Sequence, residues 1–315
     1  MPVTLEDIRR AAERISPLAH RTPVLTCESL NRRVGARVYS KCENLQRVGA
    51  FKFRGACNAV LSLSDAEAAR GVVAHSSGNH AQALALAARL RGIPAHIVMP
   101  ENAPAVKKAA VAGYGARITF CAPTLEAREA AQERVVAATG AVVVHPYNDE
   151  RVIAGQGTAA LELLQEIPDL DAIIAPIGGG GLVSGTAVAA TELSPGIRVV
   201  GAEPEGADDA YRSLAAGRII PSHNPRTIAD GLLTSLGDRT FPIIQQRVDG
   251  IVTVSEEAII AAMRFIWERA KLIIEPSAAV PVAALWERKV DVAGRQVGVI
   301  LSGGNVDLDR LPWQG

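Results

Sequence analysis

Lys52 is one of six lysines in the chain and stands between Phe51 and Phe53, where an apolar helical pattern begins. Apolar neighbours and the positive end of a helix both disfavour an ammonium, so an amine there sits closer to its neutral, nucleophilic form. The chemistry that suits such a lysine is Schiff-base formation with a carbonyl compound. A helix-start lysine can equally lay its stem along apolar surface and keep its charge in water. The motif therefore needs partners elsewhere in the chain.

Three small-residue loops supply them, each after an apolar run that reads as a strand. His75-Ser76-Ser77-Gly78-Asn79-His80 leads into Ala81-Gln82-Ala83-Leu84, so hydroxyls and main-chain N–H groups converge at a helix start and suit a carboxylate. A simple N-cap with a turn would need only one of those polar residues. Gly178-Gly179-Gly180-Gly181 follows Ala172-Ile173-Ile174-Ala175-Pro176-Ile177 and opens Leu182-Val183-Ser184-Gly185. Residues without Cβ let the main chain approach a phosphate, and no Walker lysine follows. A dinucleotide turn of the G-x-G-x-x-G type belongs in a first βα unit, with an acidic residue about 20 positions on. The mid-chain place of the four glycines disfavours it. Ser302-Gly303-Gly304-Asn305 follows the last apolar run. Alone it is an ordinary turn, but its hydroxyl is one that could meet a ring nitrogen.

These loops need a frame. Val72-Val73-Ala74, Ala95-His96-Ile97-Val98, Arg117-Ile118-Thr119-Phe120, Ala172-Ile173-Ile174-Ala175, Val199-Val200-Gly201 and Val297-Gly298-Val299-Ile300-Leu301 read as strands with helical patterns between most of them. That is an α/β pattern, with mostly parallel sheets covered on both faces and ligands at the strands' carboxyl ends. At 315 residues and 48% hydrophobic, the chain is long enough for two lobes, and 33 basic residues balance 33 acidic ones. Nothing in that balance asks for nucleic acid or a membrane surface. The N-terminal stretch lacks a basic-then-apolar leader and no apolar run reaches bilayer length, so the expected place is the cytoplasm. Cys27, Cys42, Cys57 and Cys121 lack the close spacing of zinc or redox pairs and read as free thiols. Glu203, the Ala207 carbonyl and Asp209 offer hard oxygen ligands that suit magnesium, calcium or manganese. An acidic loop capping the helix that starts near Asp208 accounts for the same residues.

A phosphate cradle, a Schiff-base lysine, a carboxylate loop and a neutral hydroxyl are together what pyridoxal phosphate requires. The chain resembles, over nearly its full length, the fold-type II pyridoxal-phosphate enzymes of the serine/threonine dehydratase and serine racemase group, whose fold is that of the tryptophan synthase β chain. The matching stretches, in the family's order, are HRTPVLT (20–26), KCENLQRVGAFKFRGA (41–56), SSGNHAQALA (76–85), VIAGQGT (152–158), GGGGLVSG (178–185), TIADG (227–231), IIEPSAA (273–279) and LSGGN (301–305).

The resemblance implies that Lys52 holds the cofactor and that Phe51 packs against its ring. It implies that Asn79 bonds the ring hydroxyl, that Gly178, Gly179, Gly180 and Gly181 hold the phosphate, and that Ser302 faces the pyridine nitrogen. Ser76, Ser77, Gly78, Asn79 and His80 would receive the substrate carboxylate. Freed Lys52 would take the Cα proton, and loss of the β-hydroxyl would lead to a 2-oxo acid and ammonia. In racemases the residue matching Ser77 is a second acid/base, and dehydratases carry the same loop. Glu203, Ala207 and Asp209 match the family's divalent-cation site. The implied domains are a large one of residues 1–64 and 149–315 and a small mobile one of 65–148, without a C-terminal regulatory module, in a homodimer.

Ala50 stands where many relatives have serine, and Tyr147 where animal racemases have asparagine. The second change favours dehydratases. Arg128 either matches a substrate-pocket arginine, which would admit a second carboxylate as in 3-hydroxyaspartate, or is a solvated helix residue. A β-replacement synthase shares the fold and cofactor, but TIADG and AEPEGADD favour the dehydratases. A non-catalytic carrier would have no need of Lys52.

Overall fold

The computed structural model describes residues 3–76, 78–103 and 105–314. Its strands are β1 (Val24–Thr26), β2 (Arg37–Cys42), β3 (Val72–His75), β4 (Ala95–Pro100), β5 (Arg117–Cys121), β6 (Val142–Val143), β7 (Ala172–Pro176), β8 (Arg198–Pro204), β9 (Gly250–Val254) and β10 (Gln296–Leu301). They form a six-stranded sheet, ordered β1-β2-β10-β7-β8-β9, and a four-stranded sheet, ordered β5-β4-β3-β6. Only β1 runs antiparallel to its neighbour; the other pairs are parallel. Every residue of β4 and β7 is buried, as expected of parallel strands covered on both faces.

The chain leaves the large sheet after β2, builds the small sheet, and returns at β7. All four strands of the small sheet thus fall between residues 72 and 143. The carboxyl ends of β3, β7 and β10 lead into the three small-residue loops, the place where α/β sheets hold ligands.

One helix, Glu150–Glu166, fixes two others through missing side chains. A Cβ on Gly155 would lie 2.6 Å from the Gly55 Cα, and one on Gly185 would lie 2.5 Å from the Gly157 nitrogen. The helices Lys52–Leu61 and Gly181–Leu193, which begin at the candidate lysine and at the last of the four glycines, are therefore packed backbone to backbone on a common support. The Gln156 side chain adds a bond, accepting from the Gly55 N–H at 3.1 Å.

A buried ion network completes that support. Arg54 donates to Glu43 at 2.7 and 2.9 Å and to Glu162 at 2.8 Å through two nitrogens. Lys41, also fully buried, donates to Glu162 at 2.7 Å and to the Thr22 carbonyl at 2.6 Å. Fully desolvated charges hold only when each is paired and hydrogen-bonded, so β2, the stretch after it and two helices are locked in one register. Cys27, Cys42, Cys57 and Cys121 are free thiols. Among the described residues, no helix is long and apolar enough to cross a membrane.

Candidate active site

Lys52 begins its helix with no side chain capping the first N–H groups. Its amine donates to the Pro146 carbonyl at 2.9 Å and lies 5.1 Å from the centre of the Phe51 ring. Burial lowers its pKa to about 8, against the opposing pull of the Glu275 charge. Phe51 is half-buried, and its N–H donates to the Ser302 carbonyl at 2.9 Å. The lysine thus sits directly beside the loop that follows β10.

The helix Gly181–Leu193 also lacks a side-chain cap and has no acidic residue in its first turn, so its leading N–H groups face outward unneutralised. Gly180 holds φ at +88°, a left-handed conformation that favours glycine. A Cβ on Gly179 would strike the Tyr147 ring at 2.3 Å, and one on Gly178 would come within 3.1 Å of the Gly231 carbonyl. The glycines let the loop pass between these walls. Tyr147 is itself braced by the edge of His145, 4.5 Å between ring centres. His145 accepts from the N–H groups of Tyr147 and Asn148 at 3.3 and 2.8 Å, and burial lowers its pKa to about 4, so the ring is neutral.

At the third loop, the Gly78 N–H donates to the Ser76 hydroxyl at 3.3 Å, and the helix Asn79–Arg91 again starts without a side-chain cap. Ser77 lies outside the described residues. The His80 ring is buried, held neutral and bonded to the Val144 carbonyl at 2.9 Å, so its side chain is committed to the fold. Asn79 donates to both oxygens of Glu275, at 3.0 and 3.1 Å. Ser302 is buried, and its neighbour Gly303 must lack a Cβ because one would lie 2.6 Å from Glu275 Oε1. Arg128, on the helix Leu125–Thr139, has a buried Nε without a hydrogen-bond partner, and its charge is felt by His75 at the end of β3.

Glu203 and Asp209 meet at the end of β8. Burial raises Glu203 to about 9 and Asp209 to about 6. Glu203 caps the following helix, accepting from the N–H groups of Ala210 and Tyr211 at 3.2 and 2.8 Å. Both Asp209 oxygens are buried without a hydrogen bond of ordinary geometry, Ser222 and the Leu236 main chain being the donors that soften the cost. Ala207 is buried beside them. Among the described residues no group of three or more His, Cys, Asp and Glu side chains is arranged to hold a metal, so a cation here would need main-chain carbonyls and water as well.

Glu275 and the Arg54 network were not singled out from sequence, although IIEPSAA contains Glu275 and KCENLQRVGAFKFRGA contains Lys41, Glu43 and Arg54; for Glu275 a charged residue inside an apolar run was the available signal. Two surface clefts, of 620 Å³ beside Glu28, Asn31 and Arg37 and of 370 Å³ beside Arg89, Tyr114 and Arg117, share no residue with the three loops. Their linings hold no lysine amine, hydroxyl and glycine turn together.

The donor set fits pyridoxal phosphate: an amine of lowered pKa, an uncapped glycine turn for the phosphate, and a buried hydroxyl. The family described as Pyridoxal-phosphate dependent enzyme matches residues 15–303. The chain is 53% identical over 310 residues to the β-hydroxyaspartate dehydratase of Paracoccus denitrificans (strain Pd 1222), covering 98% of each. It is 51% identical to the serine racemase of Dictyostelium discoideum, whose crystal structure it matches with a TM-score of 0.93 over 97% of this chain and 99% of that one. The crystal structure of the T.th. threonine deaminase matches with a TM-score of 0.92 at 47% identity, over 97% of this chain and 99% of that one. The chain belongs to the pyridoxal-phosphate dependent enzymes, in the group that holds the serine and threonine dehydratases and the serine racemases.

Proposed function

We propose that this chain is an ammonia-lyase that converts a β-hydroxy amino acid to a 2-oxo acid and ammonia. The observation that carries the reading is the Lys52 amine, brought down to about 8 by burial where three uncapped helix starts meet a buried hydroxyl. When bound, pyridoxal phosphate supplies an electron sink for the charge left at the substrate's Cα. Lys52 holds the cofactor and then, as the free amine, moves the Cα proton as general base. Main-chain N–H groups of Gly178, Gly179, Gly180 and Gly181 anchor the phosphate, Phe51 packs against the ring and Asn79 bonds its oxygen. Ser302 offers the ring nitrogen a neutral hydroxyl, which leaves the sink mild and favours loss of a β-substituent over transamination. Ser76, Gly78 and the start of the helix Asn79–Arg91 receive the substrate carboxylate.

Arg128 favours one substrate class. Its buried, unpartnered Nε beside His75 is a donor waiting for an anion, and a second substrate carboxylate provides one. The names of two relatives support this: the Paracoccus β-hydroxyaspartate dehydratase and, at 51% identity, the L-threo-3-hydroxyaspartate ammonia-lyase of Saccharomyces cerevisiae. Racemisation is the second reading, with Ser77 as the opposing acid/base, supported by the serine racemases among the relatives.

Glu203, Asp209 and the Ala207 carbonyl would hold magnesium, calcium or manganese, which the buried Asp209 oxygens, lacking a hydrogen bond of ordinary geometry, favour. Residues 65–148 act as a small lobe that closes over the substrate on a large lobe of residues 1–64 and 149–315. A homodimer and a cytoplasmic location, the latter supported by the free thiols, complete the reading; sedimentation and cell fractionation check them.

The test is to incubate purified protein with pyridoxal phosphate and magnesium, separately with L-threo-3-hydroxyaspartate, L-serine, D-serine and L-threonine, measuring 2-oxo acid and product chirality together. Oxo acid from a β-hydroxy amino acid is expected. D-serine from L-serine without oxo acid would establish the racemase instead, and no product from any substrate would sink both.

A further inference from the structure

Glu275 occupies the N-cap of the helix Pro276–Trp286, yet its side chain makes no cap bond to that helix. N-cap side chains ordinarily close their own helix. Here the carboxylate, 4% exposed, reaches across elements instead. It accepts from the Asn79 amide at 3.0 and 3.1 Å and from the Asn305 N–H at 3.2 Å. Asn305 in turn donates from its side chain to the Asn79 Oδ1 at 2.9 Å and to the Val48 carbonyl at 2.7 Å. Gly303, which would collide with Glu275 if it carried a Cβ, keeps the space open.

An ionised carboxylate only accepts and an ammonium or amide N–H only donates. With Glu275 ionised, the Asn79 carboxamide therefore has one permitted orientation, its nitrogen toward Glu275 and its oxygen toward Asn305. We propose that Glu275 is a positioning residue that fixes Asn79 as an N–H donor to the cofactor's ring oxygen and so holds that oxygen as an anion. The proposal rests on the functional reading above, in which Asn79 faces the cofactor. When Glu275 is protonated it gains a donor and can pair with either end of Asn79, so that only the Asn305 amide, bonded to the Asn79 Oδ1 at 2.9 Å, still opposes a turn of the oxygen inward and the loss of that bond.

Several groups face Glu275. Burial raises its pKa to about 7; the Asp230 charge adds to this, while Asn79, the Asn305 N–H and the Lys107 charge oppose it. Lys52 feels the Glu275 charge in return. Asp230 and Lys107 pair at 2.8 Å, so their opposite effects on Glu275 largely offset. Glu275 therefore changes charge near neutral pH, ionised above about 7 and protonated below.

The experiment compares wild-type holoenzyme with Glu275→Gln, Asn79→Ala and the double variant, recording the ratio of visible to near-ultraviolet cofactor absorbance against pH. Borohydride fixation and mass analysis show in each case whether the cofactor is on Lys52. The wild-type ratio is expected to fall as pH drops through about 7. Glu275→Gln, whose amide accepts either Asn79 orientation, should lack that step and lower the ratio about ten-fold at high pH, the scale of a hydrogen bond to a charged group. The double variant should match Asn79→Ala alone, since Glu275 acts through Asn79. Glu275→Asp, which keeps the charge but draws it back by one methylene, gives the same loss if the glutamine variant does not fold. A Glu275→Gln spectrum and pH course equal to wild type, or effects of the two substitutions that simply add, would overturn the proposal. A wild-type protein without cofactor on Lys52 would instead overturn the functional reading on which it stands.

Discussion

At the scale of single residues, the decisive quantity is the charge state of the Lys52 amine. Burial holds it at about 8, below the ordinary lysine value near 10.5, so the neutral form grows as pH rises and is mostly present above 8. Attachment of pyridoxal phosphate to the apoprotein should therefore accelerate about ten-fold per unit up to pH 8 and level off there, as read by stopped-flow absorbance; an unperturbed lysine would keep accelerating to about pH 10.4. Lys52→Ala should lower oxo-acid formation by at least roughly 10²–10⁴-fold, the contribution of a general base alone. Arg128→Ala should act differently. It leaves the amine intact and should raise KM for a dicarboxylic substrate, with a loss of about ten-fold or more in kcat/KM, the scale of a charge-assisted bond, and little change for L-serine. Equal effects on both substrates would remove Arg128 from the substrate pocket.

At the scale of elements, the helices that present Lys52 and the glycine turn are located by contacts with the helix Glu150–Glu166 and by the Arg54 network. Arg54→Met leaves Glu43 and Glu162 with fewer partners in a dry site. A destabilisation of about 3–5 kcal/mol is expected from breaking such a network on one side, read as a lower urea midpoint at unchanged slope. These elements were unequally legible in the sequence. Six strands and the three loops were legible: burial on both faces writes the apolar runs of β3, β4, β7, β8 and β10, the mostly uncovered β5 showed only its Ile118-Thr119-Phe120, and a ligand turn writes glycines and hydroxyls. β2 was not, since Arg37-Val38-Tyr39-Ser40-Lys41-Cys42 hides a buried lysine whose partner, Glu162, lies far along the chain. β6 is two residues long, and β1 is an antiparallel edge of three, too short for any periodicity. Glu275 showed only as a charge inside an apolar run, and its role did not show, for a related reason: its partner Asn79 lies 196 positions away, and only the fold brings them together.

At the scale of the whole molecule, two sheets meet around the site, and an ion pair among the described residues joins them. Lys107, on the helix Ala105–Gly113 packed on the small sheet's β5, donates to Asp230, in the TIADG turn that walls the glycine loop, at 2.8 Å. Such a partly exposed pair contributes up to about 1 kcal/mol and is screened by salt. Lys107→Ala should therefore raise KM by up to about five-fold at low salt, with a smaller effect at high salt, and leave the urea midpoint almost unchanged. The account as a whole depends on one covalent fact, that pyridoxal phosphate is carried on Lys52. Reduction of the holoenzyme with borohydride followed by peptide mass mapping measures it directly. A reduced cofactor adduct on the peptide containing Lys52, and on none containing Lys41, Lys107, Lys108, Lys271 or Lys289, is the result expected; an adduct on another lysine, or none, would contradict the account.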